Sequence, residues 1–437
     1  MKLFTITTLG CKVNRYESEA IAEQLVSKGW NTTEKGTAAD LCIINTCTVT
    51  QKAAMQSRQA ARKAIRNNPG ALTVVTGCYA QTSPKVFSAM ENVHYVIGNA
   101  CKDEIVQLIS GYTERGPVTT LVEDLSTPRP FQDMPLTKFG NRTRPFLKIQ
   151  DGCDAFCSYC IIPHARGGSR SLTPGVIKKR VTSLKEHGYE EAVLCGINLG
   201  RYGADLEPPT SLLDLIQTID GPTGMERLRL SSIEPAELSE DLVKLIAASE
   251  HVCPHLHIPL QSGDDDVLKA MNRPYSSAYY KDLIHHIVGL MPNVAIGVDV
   301  LVGFPGETQG AFEKTCNLVE DLPVAYLHVF PFSRIEQAAA ASLPDTAPPE
   351  EIKKRCEHVR AIGQAKRREF YQQAVGSTYE VLIEGRRDRI TGRLKGLTRN
   401  YIPVFVEGDD EWMNRLVQTR ITRVEGGKVF AECLSAP

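Results

Sequence analysis

The sequence predicts an α/β chain in three parts: an N-terminal doubly wound parallel sheet, a central partial barrel of six strand–helix units, and a small all-β barrel at the C-terminus. Three observations carry this. Short β-type runs alternate with helical stretches from Lys2 to about Ser110, the alternation that builds parallel sheets. The alternation resumes with longer units from Pro145 to about Phe332. From Thr378 to Leu434 short strand-type runs are separated by Gly-containing turns.

In the first part Leu3–Thr8, Leu41–Asn45, Leu72–Thr76 and Tyr95–Ile97 read as strands, and helix-compatible patterns begin near Asn14, Thr50, Gln81 and Lys102. A Pro-rich linker follows, with Pro117, Pro128, Pro130 and Pro135. The central strands are Phe146–Gln150, Ala192–Ile197, Arg227–Ser232, His255–Pro259, Ala295–Val302 and Tyr326–Phe330. Six units are fewer than a closed barrel of this type uses, so the barrel is expected to be open. Pro344, Pro348 and Pro349 precede a charged helical segment from Glu350 to about Gln373. Tyr379–Ile383, Ile402–Val406, Gln418–Val424 and Lys428–Cys433 then suggest a barrel of the oligonucleotide-binding type. The expected domains are 1–112, a linker 113–140, 141–372 and 373–437.

Apolar residues at 42% and charged residues at 23% fit a globular chain rather than a disordered one. The longest apolar stretch, Val294 to Phe304, is broken by Asp299, so no transmembrane helix is expected. Thr5, Thr7, Thr8 and Lys12 leave no apolar core for a signal peptide, and the same residues rule out a lipoprotein role for Cys11. A cytoplasmic protein is expected. The net charge of −1 excludes a protein that coats nucleic acid by bulk charge, though not a local basic surface. Thirteen cysteines in a long chain without a secretory signal favour metal or redox chemistry over a disulfide framework.

Cys153, Cys157 and Cys160 follow the first central strand, spaced so that three thiolates converge on one compact loop. A [4Fe-4S] cluster usually takes four cysteines, and three leave one iron open. An open position marks catalytic rather than structural metal sites. The alternative is zinc with His164 as fourth ligand, four residues beyond Cys160; zinc modules, however, pair two short knuckles across a longer gap. A second set, Cys11, Cys47 and Cys78, lies just beyond the ends of three strands of the first part. In a parallel sheet those ends share an edge, so these thiols can meet there; the alternative is that they are buried small apolar residues. Cys42, Cys101, Cys195, Cys253, Cys316, Cys356 and Cys433 lack such placement and read as packing residues.

Cys-x3-Cys-x2-Cys with Tyr159 before the last cysteine resembles the signature of the radical S-adenosylmethionine (SAM) superfamily, whose fold is a partial barrel and whose open iron binds SAM. Gly303 to Glu307 resembles that superfamily's Gly-rich segment beside the adenine. Asn198, Ser232, Glu234 and Gln261 stand at ends of strands, on the face where such barrels build sites. Tyr159, Asn198, Ser232, Glu234, Gln261, Gly303 and Gly306 are therefore expected at the cofactor.

The whole chain resembles the methylthiotransferases. Leu9 to Asn14, Asn45 to Val49, Thr76 to Gln81, Gln150 to Cys153, Ile161 to Gly167, His257 to Gly263 and Met271 to Arg273 match that family's motifs, and the C-terminal barrel looks like a TRAM domain. Lys12-Val13-Asn14 and Gln150-Asp151 resemble the branch that modifies threonylcarbamoyladenosine (t6A) 3′ to the anticodon of tRNA, giving its 2-methylthio derivative. The resemblance implies two [4Fe-4S] clusters and SAM. Cys153, Cys157 and Cys160 would hold the cluster that reduces SAM, and Cys11, Cys47 and Cys78 one that supplies sulfur. An electron donor such as a flavodoxin or ferredoxin is implied as well. One stretch departs from the family: after Arg334, Ile335 to Ala341 replaces a segment that carries Gly and Pro, which changes the backbone preferences there.

Arg386, Arg387, Arg389, Arg393, Lys395 and Arg399 form a basic run with Asp388 as its one counter-charge, and Tyr401 adds an aromatic able to stack on a base. On a small β-barrel this run is expected to contact tRNA phosphates. Two other readings compete: the same chemistry on isopentenyladenosine or on a ribosomal protein, and a non-catalytic iron–sulfur RNA-binding or redox-sensing protein.

Overall fold

The computed structural model describes residues 2–33, 38–110, 117–137, 139–140, 142–221, 224–344 and 347–435. The expected boundaries at 112–113 and at 141 lie outside the described residues. The chain packs as two compact units. One contains Met1–Gly140, Lys148–Leu172 and Ser333–Ala341; the other contains Asn141–Leu147, Thr173–Phe332 and Ser342–Pro437. Residues 148–172, which carry the three-cysteine loop, thus pack in the same unit as the N-terminal sheet.

That sheet is built from β1 (Leu3–Thr8), β2 (Asn31–Thr32), β3 (Leu41–Thr46), β4 (Leu72–Gly77), β5 (Tyr95–Ile97) and β6 (Thr119–Leu121). Its order is β2-β1-β3-β4-β5-β6 and every pair is parallel. Every residue of β3 and β4 is buried, as befits strands covered on both faces by helices. The helix Lys12–Ser27 follows β1, and Gln51–Asn67 follows β3, its start capped by the Thr50 hydroxyl on the Ala53 N–H. Strand order reverses between β1 and β3, the switch point beside which open α/β sheets bind ligands at their carboxyl ends. The edge strands β2 and β6, two and three residues long, are additions to the four predicted strands.

β7 (Phe146–Lys148) has Phe146 and Leu147 in the second unit and Lys148 in the first. The antiparallel pair β8 (Gln150–Asp151) and β9 (Arg170–Ser171) belongs to the first unit and brackets the three-cysteine loop. The second unit continues with β10 (Glu191–Cys195), β11 (Arg227–Leu230), β12 (His255–His257), β13 (Ala295–Val302) and β14 (Tyr326–Pro331). These make two parallel three-stranded arcs, β11-β10-β7 and β12-β13-β14. A parallel bridge from Leu228 to Val252 and a hydrogen bond from the Ile233 N–H to the His257 carbonyl (3.0 Å) link β11 to the β12 arc. The predicted open barrel is this curved run of six strands.

The helix Pro349–Gln373 leads into β15 (Thr378–Arg387), β16 (Leu394–Thr398), β17 (Pro403–Val406), β18 (Leu416–Glu425) and β19 (Lys428–Ser435), which close as β15-β16-β17-β19-β18. Alternate residues point inward: Val381 and Ile383 from β15, Val404 and Val406 from β17, with Ile402, Ile421 and Val429, fill the core, and Tyr371 and Ala374 cover one end. β16 was hidden in the basic run, because Lys395 interrupts its buried residues Leu394, Gly396 and Leu397. Among the described residues no helix is long and apolar enough to cross a membrane.

Candidate functional site: two cysteine trios and a charged core

The switch point brings the second cysteine set together. Cys11 precedes the helix that follows β1, Cys47 directly follows β3, and Cys78 follows β4 and opens the helix Cys78–Thr82. The approach is close. Gly10 has φ +95°, and a Cβ on it would stand 2.9 Å from the Cys47 Cβ; Gly77 has φ +97°, and its Cβ would stand 2.5 Å from the Thr46 carbonyl oxygen. Only glycine tolerates both the conformation and the space. Ser57 fixes Cys47 by accepting from its N–H (3.1 Å) and donating to its carbonyl (2.8 Å). Burial, followed by the neighbouring Cys78 and Cys11 sulfurs, pushes the Cys47 thiol up to about 12. Cys78 is buried beside it and Cys11 is exposed; a thiol becomes a metal ligand as its thiolate, which a bound cation favours.

The three-cysteine loop is shaped by its backbone. The Cys153 N–H donates to the Gly167 carbonyl (3.0 Å) and the Cys160 N–H to the Cys157 carbonyl (2.9 Å). The Ala155 and Ile162 N–H groups point at the Cys153 and Cys160 sulfurs (3.5 and 3.4 Å). Gly152 has φ +74°, and a Cβ there would collide with the Gly168 carbonyl. All three cysteines and Tyr159 are half-buried. The segment that departs from the family forms the loop's support: Ile335 and Ala338 bury against Ile161, and the Ala340 N–H donates to the Ser158 carbonyl (2.6 Å). His164 is exposed. Among the described residues the only set of three metal-type ligand atoms within 4.8 Å of one another is His257, Asp299 and His328.

Both cysteine regions rest on a buried ionic network that sequence reasoning did not find. Arg166, fully buried, donates from Nη1 to Glu17 Oε1 (2.9 Å) and Asp151 Oδ1 (2.8 Å) and from Nη2 to Asn14 Oδ1 (2.6 Å). Lys148 pairs with Glu17 (2.9 Å) and Asp151 (2.7 Å), and Lys102 with Glu17. Burial alone would raise the Glu17 carboxyl, but the Arg166 guanidinium and the two ammonium groups outweigh it and hold it well below the usual carboxylate range. Asp151 is held down in the same way, against burial, by Arg166, Lys148 and Arg170. The only sequence signal was that Asn14 and Asp151 sit within cysteine motifs and Arg166 within the motif that flanks the three-cysteine loop.

In the second unit the expected cofactor residues lie at carboxyl ends of barrel strands. Asn198 donates to Glu237 Oε1 (3.0 Å), and Glu234 pairs with Arg273. Gln261, at φ +70°, donates its N–H to the Asp299 carbonyl (2.8 Å), and Ser232 is exposed. Gly303, at φ +80°, donates to Glu307 Oε2 (2.8 Å), which Arg355 holds in place; a Cβ on Gly306 would meet nothing. Sequence reasoning missed Glu237, whose carboxyl burial pushes up to about 7 against the Asn198 hydrogen bond, with Glu234 adding to the rise. It also missed Asp299, whose Oδ1 accepts from His257 Nε2 (2.8 Å) and His328 Nδ1 (3.2 Å).

The basic run divides. Arg386 and Arg389 are exposed on the C-terminal barrel. Arg387 is engaged by Asp410 (2.7 Å) and Arg393 by Glu407. Arg399 donates to the Val252 carbonyl (3.1 Å), and Lys395 lines a cavity of about 280 Å³ with His328 and Arg367. The half-buried Tyr401 ring is stacked on His255 at 4.2 Å with the Arg229 guanidinium 5.3 Å away, and it lines the same cavity as Lys395. Arg423 and Lys428, outside the run, lie over Phe430 (4.4 Å) and Phe405 (5.5 Å).

Residues 3–98 match an uncharacterized protein family, UPF0004; residues 147–319 match the radical SAM superfamily; residues 372–434 match the TRAM domain. Among solved structures, the radical SAM methyltransferase TsrM from Kitasatospora setae aligns at a TM-score of 0.54 and 15% identity, over 76% of this chain and 73% of that one, a likeness of fold. Partial barrel and Cys-x3-Cys-x2-Cys loop together define a radical SAM enzyme. Across 95% of its length and 93% of the relative's, the chain is 35% identical to the threonylcarbamoyladenosine tRNA methylthiotransferase MtaB of Bacillus subtilis (strain 168). The MtaB of Rickettsia prowazekii (strain Madrid E) is 37% identical over 92% of this chain and 91% of its own. A tRNA-2-methylthio-N(6)-dimethylallyladenosine synthase of Desulfitobacterium hafniense (strain Y51) is 31% identical over 97% and 96%. The chain belongs to the tRNA methylthiotransferase family.

Proposed function

We propose that this enzyme converts t6A 3′ to the anticodon of tRNA to its 2-methylthio derivative by radical SAM chemistry. The near full-length identity of 35–37% to threonylcarbamoyladenosine enzymes carries the reading. The residues fit two [4Fe-4S] clusters: two sets of three cysteines, positive-φ glycines that clear space at their approach, and a buried guanidinium Nε–H with no partner among the described residues. When bound, a cluster at Cys153, Cys157 and Cys160 supplies the electron that cleaves SAM, and one at Cys11, Cys47 and Cys78 the sulfur for transfer.

The chain's own residues do the rest. Ala155 and Ile162 N–H groups set the field at two of the loop's sulfurs. Asn198, Glu234 and Gln261 form a polar rim for SAM, and Gly306, whose Cβ position is open, lets backbone approach its adenine, while Gly303 makes room for Ile352. The exposed Arg386 and Arg389, joined by Arg423 and Lys428, take tRNA phosphates. A cytoplasmic setting and a flavodoxin- or ferredoxin-type electron donor complete the proposal. Mass spectrometry of nucleosides from tRNA of cells with and without the gene tests it. Loss of 2-methylthio-t6A is the expected result; loss of the isopentenyl-type product instead would assign the other tRNA branch, and an unchanged tRNA with a demodified ribosomal protein would overturn the proposal.

A further inference from the structure

We infer that Arg166 is a positioning residue for the cluster held by Cys11, Cys47 and Cys78, supplying it with an N–H donor and a balancing positive charge; this rests on the reading that those thiols hold a cluster. A guanidinium carries five N–H donors in a fixed plane. Four of Arg166's are engaged: Nη1 by Glu17 and Asp151, and Nη2 by Asn14 (2.6 Å) and Glu17 (3.3 Å). The fifth, on Nε, is buried and has no partner among the described residues.

The surroundings say where that donor is needed. Asn14, which holds Nη2, donates its own amide to the Leu9 carbonyl (2.8 Å) and the Thr46 carbonyl (3.0 Å), next to Cys11 and Cys47. On the other side the Ala165 carbonyl accepts from Asn99 Nδ2 (2.6 Å), the same amide that stands 3.7 Å from the Cys78 sulfur. Arg166 is therefore linked through Asn14 to the segments that carry Cys11 and Cys47, and through the adjoining Ala165 to the amide beside Cys78.

Charge points the same way. Lys102, Lys148 and Arg166 are buried with two buried carboxylates, Glu17 and Asp151, and Arg170 also reaches Asp151 (3.3 Å), leaving an excess of positive charge. Buried charge is retained where it is matched. A thiolate-bound cluster at the adjacent sheet edge is anionic and matches it. Hydrogen bonds to sulfur and nearby positive charge both favour the reduced state of such a cluster.

The test uses the full-length chain with Cys153, Cys157 and Cys160 changed to Ala, so that a single cluster remains. Reconstituted anaerobically, this parent is expected to hold about four irons per chain; a parent without iron would sink the reading of the three thiols, and the inference with it, before Arg166 is touched. Adding Arg166→Lys keeps the charge and removes Nε–H. The iron is expected to stay while the reduced-to-oxidised ratio at fixed potential falls at least tenfold, a midpoint drop of about 59 mV for a one-electron couple. An unchanged midpoint and unchanged electron paramagnetic resonance spectrum with full iron would overturn the inference. Should the variant not fold, the parent labelled with 15N-arginine decides: electron–nuclear double resonance is expected to show an arginine nitrogen coupled to the reduced cluster, and its absence overturns the inference equally.

Discussion

Glu237 has one carboxylate oxygen on Asn198 and the other without a partner among the described residues, and burial raises its carboxyl from near 4.5 to about 7. A carboxyl raised in the folded state adds stability below its unfolded value and loses it as the pH climbs through the folded one. The chain is therefore expected to lose stability from about pH 5 to about pH 8 relative to Glu237→Gln, read as denaturation midpoints at the two pH values. Parallel midpoints would show that the side chain is not raised. The cysteines allow a sharper separation. Changing Cys11, Cys47 and Cys78 to Ala is expected to leave SAM cleavage to 5′-deoxyadenosine intact and to abolish methylthio transfer, whereas changing Cys153, Cys157 and Cys160 abolishes both. Methylthiolated tRNA from the first variant would disprove the division of labour.

The C-terminal barrel is the element whose function depends most on which residues face outward. Each phosphate that the protein ceases to neutralise flattens the salt dependence of tRNA binding by about 0.7–0.9 in log K per log unit of salt. Arg386→Ala with Arg389→Ala is expected to flatten the slope and weaken binding, while Tyr401→Ala, which empties a stack on His255, is expected to lower thermal stability and leave the slope unchanged. Equal slopes in all variants would move tRNA binding off this face. Ile402 is fully buried in the barrel core, so Ile402→Ala is expected to cost roughly 2–5 kcal/mol by denaturant titration. Strands as long as β13 were legible because an apolar run between turn signals leaves little choice of boundary, and Ala295–Val302 was read as it stands. The two-residue β2 was not, since its pairing comes from β1 beside it rather than from its own residues.

Taken whole, the molecule places both cysteine trios in a single compact unit. That could not be read from order along the chain, where a Pro-rich linker separates them. The placement of Cys11, Cys47 and Cys78 after successive strands was legible because a parallel sheet aligns its strand ends. The charges beneath them were not: Glu17, Lys102, Lys148 and Arg166 are far apart in sequence, and each alone resembles a surface residue. Breaking the network by Glu17→Ala leaves three buried cations short of a carboxylate and is expected to cost about 3–5 kcal/mol, with iron content falling at both trios rather than one. Loss confined to one trio would show that the network does not serve both.

The support under the three-cysteine loop comes from Ile335 to Ala341, residues the ribosome reaches only after the entire central barrel has been made. While the nascent chain is shorter than that, Cys153, Cys157 and Cys160 have emerged but lack the floor that holds Ser158 and Ile161 in place. Of the surroundings of the other trio, Asn14, Ser57, Asn99 and Arg166 are translated by then, while Gln51 still waits for Ser333 and Arg334 (2.8 and 2.9 Å). The seat of the three-cysteine loop is therefore completed late, once residues 335–341 in the last quarter of the sequence have been made, well after the segments that carry Cys11, Cys47 and Cys78.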